Sequence, residues 1–302
     1  MIYRILLFIA IASSCDSDEK SAMDVVVEPA FEINQIAALD NSITESSGII
    51  TIDGSLYTHS DIRGTAQLIQ INLDGTIEGT NNFENIQIRD WEDIATDDDF
   101  LYIGDIGNNL GNKTDLKIFK IAKTAIEDSN PNIETISFSF ADQTNFDNTE
   151  LNQTSYDVEA LTSLDNSLYI FTKDWLELNS NVYRIDPIAG TQALSPLAKL
   201  NIGGLVTGAT TSPEGDIIIC GYSPTLSPFV ARIKFENGLP TVERKIDITG
   251  MLGANSQIEG ITYAGKTNGI PTYYLSSEQF SRNIAGTQIT FPANLYELKW
   301  NE

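Results

Sequence analysis

What most constrains the fold of this chain is that it repeats itself. A unit of four short segments, alternating or rich in β-branched and aromatic residues and separated by turn residues, recurs along the sequence. The clearest copy opens at Asp90-Trp-Glu-Asp-Ile-Ala95 and turns at Asp97 to Asp99. It continues through Phe100 to Asp105, Leu116 to Ala122 and Glu134 to Phe140. Such a pattern reads as a four-stranded antiparallel meander. Further copies open at Ser47, Glu159, Thr207 and Glu259, with turns at Asp53-Gly54, Asp165-Asn166 and Glu214-Gly215. In the first copy the later segments are Leu56 to Asp61, Gln67 to Asn72 and Phe83 to Arg89. The last copy stops at Leu295 to Leu298 without a fourth segment, and Phe31 to Ala37, ahead of the first copy, carries that segment's pattern. The expectation is an all-β fold, a β-propeller of five four-stranded blades in which the N-terminal strand closes the last blade. A sixth, degenerate blade in the insertion at roughly Asp142 to Ser155 is the alternative. A β-sandwich would leave the whole-unit repeat unexplained. Closure leaves no open sheet edge between the first and last blades; a monomer is expected.

The first fourteen residues carry Arg4, an apolar run from Ile5 to Ala12 and small residues directly before Cys15. That is the pattern of a signal peptide, and the run is far shorter than the ~20 residues that span a bilayer. The small-small-Cys ending resembles a lipobox, with Ala12 where leucine is usual, which implies lipidation of Cys15. Asp16-Ser-Asp-Glu-Lys20 is similar to the export signal of Bacteroidetes surface lipoproteins. The expected organisation is a signal peptide over 1–14, a lipidated cysteine and acidic tether over 15–30, and the propeller over 31–302. The expected location is the outer membrane, at the cell surface, with membrane contact only through the lipid. With 42 acidic against 18 basic residues and a formal charge of −24, nucleic acid and anionic lipid surfaces are excluded as partners. If Cys15 is lipidated, the remaining cysteine, Cys220, has no disulfide partner, and its apolar run marks it as a small buried hydrophobe.

In a propeller the first strand of each blade lines a central channel. Aligned, the repeats place Ser47, Glu92, Glu159, Thr207 and Glu259 at one position, and Glu45, Asp90, Asp157, Leu205 and Gln257 two residues earlier. Residues at i and i+2 share a strand face, so the axis is expected to carry two tiers of three carboxylates. Converging carboxylates repel unless protonated, solvated or bound to a cation. Ca²⁺, which takes about 6 to 8 oxygen ligands, suits such a set, and the scarcity of nitrogen and sulfur ligands argues against zinc. Glu92, Glu159, Glu259, Asp90, Asp157 and Glu45 are therefore candidate metal ligands; the competing role is to accept backbone N–H groups at strand starts. Asp61, Asp105, Asp174 and Glu278 follow the second strands and are expected at one rim. His59 is the single histidine. His59-Ser60-Asp61 cannot form a triad, because neighbours on a strand face opposite ways; His59 and Asp105 remain candidates for proton transfer. The glycine-rich Gly104 to Gly111 segment joins two strands and lacks the helix of a phosphate cradle. Trp91 and Trp175 fit either a sugar-stacking surface or blade packing.

The stretches Glu45-Ser-Ser-Gly48, Leu56-Tyr-Thr-His-Ser-Asp61, Asp90-Trp-Glu-Asp-Ile-Ala95 and Tyr102-Ile-Gly-Asp-Ile-Gly-Asn-Asn109 resemble a group of Bacteroidetes propeller lipoproteins. That group is distantly similar to the SdiA-regulated and esterase-like phytase propellers. The resemblance spans most of residues 31–302 and implies a propeller without an established reaction. Calcium-activated nucleotidases are similar in five-bladed layout and in acids at strand starts, but no residue-by-residue match carries their site over. Two functions follow. One is a surface propeller binding an extracellular glycan or protein, with axial Ca²⁺. The other is a Ca²⁺-dependent hydrolase of a phosphoester or lactone, with Glu92, Glu159 and Glu259 on the metal and Asp105 or His59 assisting. The scatter of Arg63, Lys113, Lys173 and Arg282 offers no cationic cluster for a phosphate and favours binding.

Overall fold

A computed structural model describes residues 31–61, 66–253, 256–284 and 286–301. The signal peptide, Cys15, the tether and Arg63 lie outside the described residues. The expected ring is present. Strand β1 (Phe31–Ala38) comes first, followed by a blade of β2 (Gly48–Ile52), β3 (Ser55–His59), β4 (Gln67–Ile71) and β5 (Ile77–Asn82). The second blade contains β6 (Trp91–Thr96), β7 (Phe100–Asp105), β8 (Leu116–Ala122) and β9 (Ile133–Phe140). The third contains β10 (Val158–Leu164), β11 (Ser167–Thr172) and β12 (Ser180–Ile185). After it the chain lends β13 (Gly190–Leu194) to the second blade and returns with β14 (Ala198–Leu200). The fourth blade is β15 (Leu205–Thr211), β16 (Ile217–Tyr222), β17 (Pro228–Glu236) and β18 (Leu239–Asp247). The fifth is β19 (Ile258–Thr267), β20 (Ile270–Ser277) and β23 (Asn294–Trp300), with a hairpin of β21 (Phe280–Ile284) and β22 (Thr287–Phe291) inserted. Strand β1 pairs antiparallel with β23, Phe31 opposite Trp300, and closes the ring.

Local chemistry sets many of these turns. Asp53-Gly54, Asp165-Asn166, Asn237-Gly238 and Asn268-Gly269 each have positive φ at both residues, the backbone that two-residue hairpins with a right-handed twist demand and that Asn, Asp and Gly tolerate. Five apolar clusters hold the ring, each formed between neighbouring blades. Trp91, Leu101 and Ile103 pack against Ile50, Leu68 and Phe83 between blades one and two. Tyr273, Leu275 and Trp300 meet Ile218, Cys220 and Val230 between blades four and five.

Two features differ from the sequence reading, and the six-bladed alternative falls away. The outer strand of the first blade is β5, not Phe83 to Arg89. The alternating Phe83, Ile86 and Ile88 reach the core between blades from a connecting segment, which imitates a strand pattern, whereas the true edge strand is largely exposed. Strand β13 pairs parallel with β9, giving the second blade a fifth strand. The insertion between β9 and β10 contains no strand, so the ring has five blades rather than six. Among the described residues no helix is long and apolar enough to cross a membrane.

Candidate functional site

The inner strands β2, β6, β10, β15 and β19 surround the axis and touch their neighbours in ring order. Four of them carry the same defect. The register with the second strand slips between Trp91 and Asp93, Val158 and Ala160, Val206 and Gly208, and Ile258 and Gly260. Glu92, Glu159, Thr207 and Glu259 are the extra residues of these bulges. A bulge breaks the alternation of faces and re-aims a side chain, so consecutive residues such as Glu92 and Asp93 both reach the axis.

Below the mouth the axis is plugged. The residue after each bulge is Asp93, Ala160, Gly208 or Gly260, with Gly48 in the first blade. Space there is short: a Cβ on Gly208 would stand 2.6 Å from the Glu259 carbonyl oxygen, and one on Gly48 3.1 Å from Asp93 Oδ1. Asp93, the single large member, is completely buried. Its Oδ1 accepts the Ile94 N–H at 2.9 Å, and its Oδ2 accepts those of Leu161 at 2.8 Å and Ala209 at 3.2 Å. One carboxylate thus joins blades two, three and four. Burial pushes its pKa well above the ordinary range, against the pull of these three donors.

Above the plug lies the acidic mouth. Glu92, Glu159 and Glu259 are at most 7 % exposed and Asp157 is fully buried. Glu92 feels the charges of Glu159, Asp90 and Asp157, and burial followed by these neighbours pushes it well above the usual carboxylate range. Burial likewise raises Glu159, which shares a hydrogen bond with Asp157. Glu259, hydrogen-bonded with Tyr222 and Gln257, is raised by burial too. Glu278 is raised by burial and then by Glu259 and Asp61. Asp61 is pushed up to about 7 by burial and by a hydrogen bond shared with Glu45. Acids brought this close together in a buried setting disfavour full ionisation of the set. The six expected acids do gather here, and Asp61 and Glu278 join them.

Two lysines stand among these acids. Lys173 Nζ lies 3.1 Å from Glu159 Oε2, 5.2 Å from the centre of the Trp175 ring and 5.3 Å from that of Tyr222. Burial would lower its pKa, but Glu159, Tyr222, Glu259 and Asp157 outweigh that and hold the ammonium charged. Lys113 is bound to Asp90 and to the Gly107 carbonyl. The glycine-rich segment earns its composition at Gly107, where a Cβ would stand 2.0 Å from Glu92 Oε1 and 2.7 Å from Asp90 Oδ2. Asp157 is fixed by the Asn108 N–H at 2.7 Å, Trp175 Nε1 at 2.9 Å and Asn109 Nδ2 at 3.1 Å.

Other expected site residues go elsewhere. Asp105 accepts the backbone N–H groups of Arg89 and Asp90 at 3.2 and 2.8 Å, which positions the Asp90 loop. Asp174 accepts from Ser155 Oγ and from the Leu176 and Glu177 N–H groups. His59 is fully buried beside Gly48, edge-on to Trp91 at 5.8 Å, and burial drives its pKa down to about 4, leaving the ring neutral at pH 7. Trp91 is a core residue and not a sugar platform; Trp175 belongs to the mouth. Cys220 is fully buried, as expected. Ser47 takes the register position of Glu92, Glu159 and Glu259 in the first blade, and its Oγ is buried without a hydrogen-bond partner. Sequence reasoning passed over Asp93, whose signal is a column of small residues interrupted by one acid, and Tyr222.

Among the described residues, no three His, Cys, Asp or Glu side chains stand close enough together to hold a metal ion. The mouth is a diffuse gathering of acidic groups.

No family model matches the sequence, and no curated protein does either. Solved structures do share the fold. The luciferin-regenerating enzyme is similar with a TM-score of 0.51 and 11 % identity over 90 % of this chain and 97 % of that one. Myxococcus xanthus glutaminyl cyclase gives 0.50 and 14 %, over 89 % of this chain and 99 % of that one. At such identities the likeness concerns the propeller fold alone.

Proposed function

We propose that this protein is a binding propeller that presents the acidic mouth of its axial channel to an extracellular ligand, with a cation meeting the excess negative charge. The observation that carries the reading is the gathering of Glu45, Asp61, Asp90, Glu92, Asp157, Glu159, Glu259 and Glu278 at one end of the axis, with Lys173 among them and engaged by Glu159. The buried, unpartnered Ser47 Oγ at the matching position of the first blade adds a further oxygen donor. Ca²⁺, a hard cation tolerant of irregular oxygen sets, is the first metal to test; its binding would draw the carboxylates together and favour their ionised forms. Anchoring through a lipid on Cys15 at the outer face of the outer membrane, as in the Bacteroidetes lipoproteins that the sequence resembles, would hold the mouth towards the medium.

Hydrolysis of a phosphoester is the weaker reading. Both mouth lysines are taken up by carboxylates, so an anionic substrate would meet repulsion unless a metal came first. The test is calorimetric titration of the full chain with CaCl₂ at pH 8, beside the Glu92→Gln/Glu259→Gln variant. Binding in the parent chain, weakened tenfold or more in the variant, supports the reading. Equal binding in both would place the ion outside the mouth.

A further inference from the structure

We infer that the mouth is a docking surface for a protein segment that presents a lysine or arginine side chain between apolar ones. This rests on the reading of the mouth as the ligand site, and names the ligand's chemistry.

The first ground is what already sits there. The Lys173 ammonium has a carboxylate at 3.1 Å and two aromatic faces within 5.3 Å. Carboxylates and aromatic rings together are the surroundings that an organic cation seeks. The fold therefore demonstrates on its own side chain that this environment accepts an ammonium group. Lys173 answers only part of the charge: Glu92, which feels it, also feels Glu159, Asp90 and Asp157, and Glu278, which feels it, also feels Glu259, Asp61 and Glu45. Ser47 Oγ, buried without a partner at the same register, is one more acceptor of the kind that an N–H donor can use.

The second ground is the rim. The segments that follow second strands and precede inner strands emerge on the mouth side of the ring. They carry the exposed Phe146, Leu151, Leu176, Met251 and Ile289. Leu176 follows Trp175, whose indole N–H is donated to Asp157. Leu151 precedes Asn152, which is bonded to Asn109, another donor to Asp157. Leu151 and Leu176 thus sit in loops whose hydrogen bonds lead to the acid Asp157. A simple inorganic ion has no use for that rim, and a strongly hydrated glycan has little use for the concentrated negative charge. A basic residue between apolar ones uses both.

The probes are three capped tripeptides, Leu-Lys-Leu, Gly-Lys-Gly and Leu-Glu-Leu, titrated calorimetrically into the full chain at low ionic strength. Leu-Lys-Leu is expected to bind, Gly-Lys-Gly about tenfold or more weakly, as the loss of two buried leucines requires, and Leu-Glu-Leu not measurably. Glu92→Gln/Glu259→Gln should weaken Leu-Lys-Leu by about tenfold or more, and raised salt should weaken it further. Because buried substitutions can disturb the fold, the exposed pair Leu151→Ser/Leu176→Ser is the second arm, with a loss of about threefold to tenfold expected. Equal binding of Leu-Glu-Leu, or insensitivity to both variants, overturns the inference. So does mouth-dependent binding of CaCl₂ or of a neutral oligosaccharide with no peptide binding, an outcome that leaves the mouth as the ligand site. If no probe binds, the underlying reading of the mouth falls as well.

Discussion

Replacing Asp93 with alanine should destabilise the ring by removing an acceptor shared by three blades. The substitution leaves the Leu161 and Ala209 N–H groups, from two other blades, and the neighbouring Ile94 N–H without their acceptor at a site of zero exposure. An orphaned buried donor costs about 1–3 kcal/mol. The two cross-blade donors alone then give about 2–6 kcal/mol, and relief from burying a carboxylate offsets the upper part, leaving roughly 2–4 kcal/mol. Asn is the informative control. Its single carbonyl oxygen can serve the two cross-blade donors, but its amide then faces the Ile94 N–H, so one bond is lost at about 1–2 kcal/mol. Guanidinium unfolding of the full chain followed by tryptophan fluorescence measures both. For a domain of this size each kcal/mol lowers Tm by about 2–4 °C. An alanine variant within about 0.5 kcal/mol of the parent would refute the claim that Asp93 ties three blades together.

Stability of the cation-free chain should fall as pH rises from 5 to 8. Asp61 at about 7, and Glu92, Glu159 and Glu278 well raised, hold protons in the folded state that the unfolded chain has already lost above the ordinary carboxylate range, and stability declines wherever the folded state binds more protons. For Asp61 the displacement corresponds to about 4 kcal/mol unscreened, and to roughly 1–2 kcal/mol once its partial exposure is allowed for. Melting curves against pH check this, and a rising Tm would contradict it. Lys173→Met should cost about 3–5 kcal/mol at pH 8, where Glu159 loses its partner, and markedly less at pH 5, where Glu159 carries a proton; chemical denaturation at the two pH values distinguishes them. Gly107→Ala forces Glu92 and Asp90 aside, and should weaken cation binding about tenfold while costing about 1–3 kcal/mol, measured by calorimetry and by unfolding. Deleting residues 31–38 removes the closing strand and exposes the edge of β23, so loss of cooperative melting and aggregation in light scattering are expected.

The fold was legible because repetition and turn chemistry agree. Asp53-Gly54 and Asp165-Asn166 announce hairpins, and Phe31 to Ala37 matches the strand that the last repeat lacks. What was hidden depends on contacts distant in sequence. Strand β13 is a polar segment that becomes a strand only because β9 offers it a free edge. Ile77 to Asn82 lacks alternating apolar residues, while Phe83, Ile86 and Ile88 imitate them. The acid tiers were visible in the alignment of the repeats, but strict alternation of faces could not reveal that Glu92 and Asp93 both reach the axis, since that follows from the bulges. Lys173 looked like one of several scattered cations; only packing shows it between Trp175 and Tyr222 among the acids.

The central claim is that the mouth captures a cation. Its most direct test is the melting temperature of the full chain at pH 8, with chelator alone, with millimolar CaCl₂, or with the Leu-Lys-Leu peptide, each beside Glu92→Gln/Glu259→Gln. A ligand that prefers the folded state raises Tm, so a rise of several degrees with at least one of these cations, lost in the double variant, is expected. No rise with either, or the same rise in the variant, would contradict the claim.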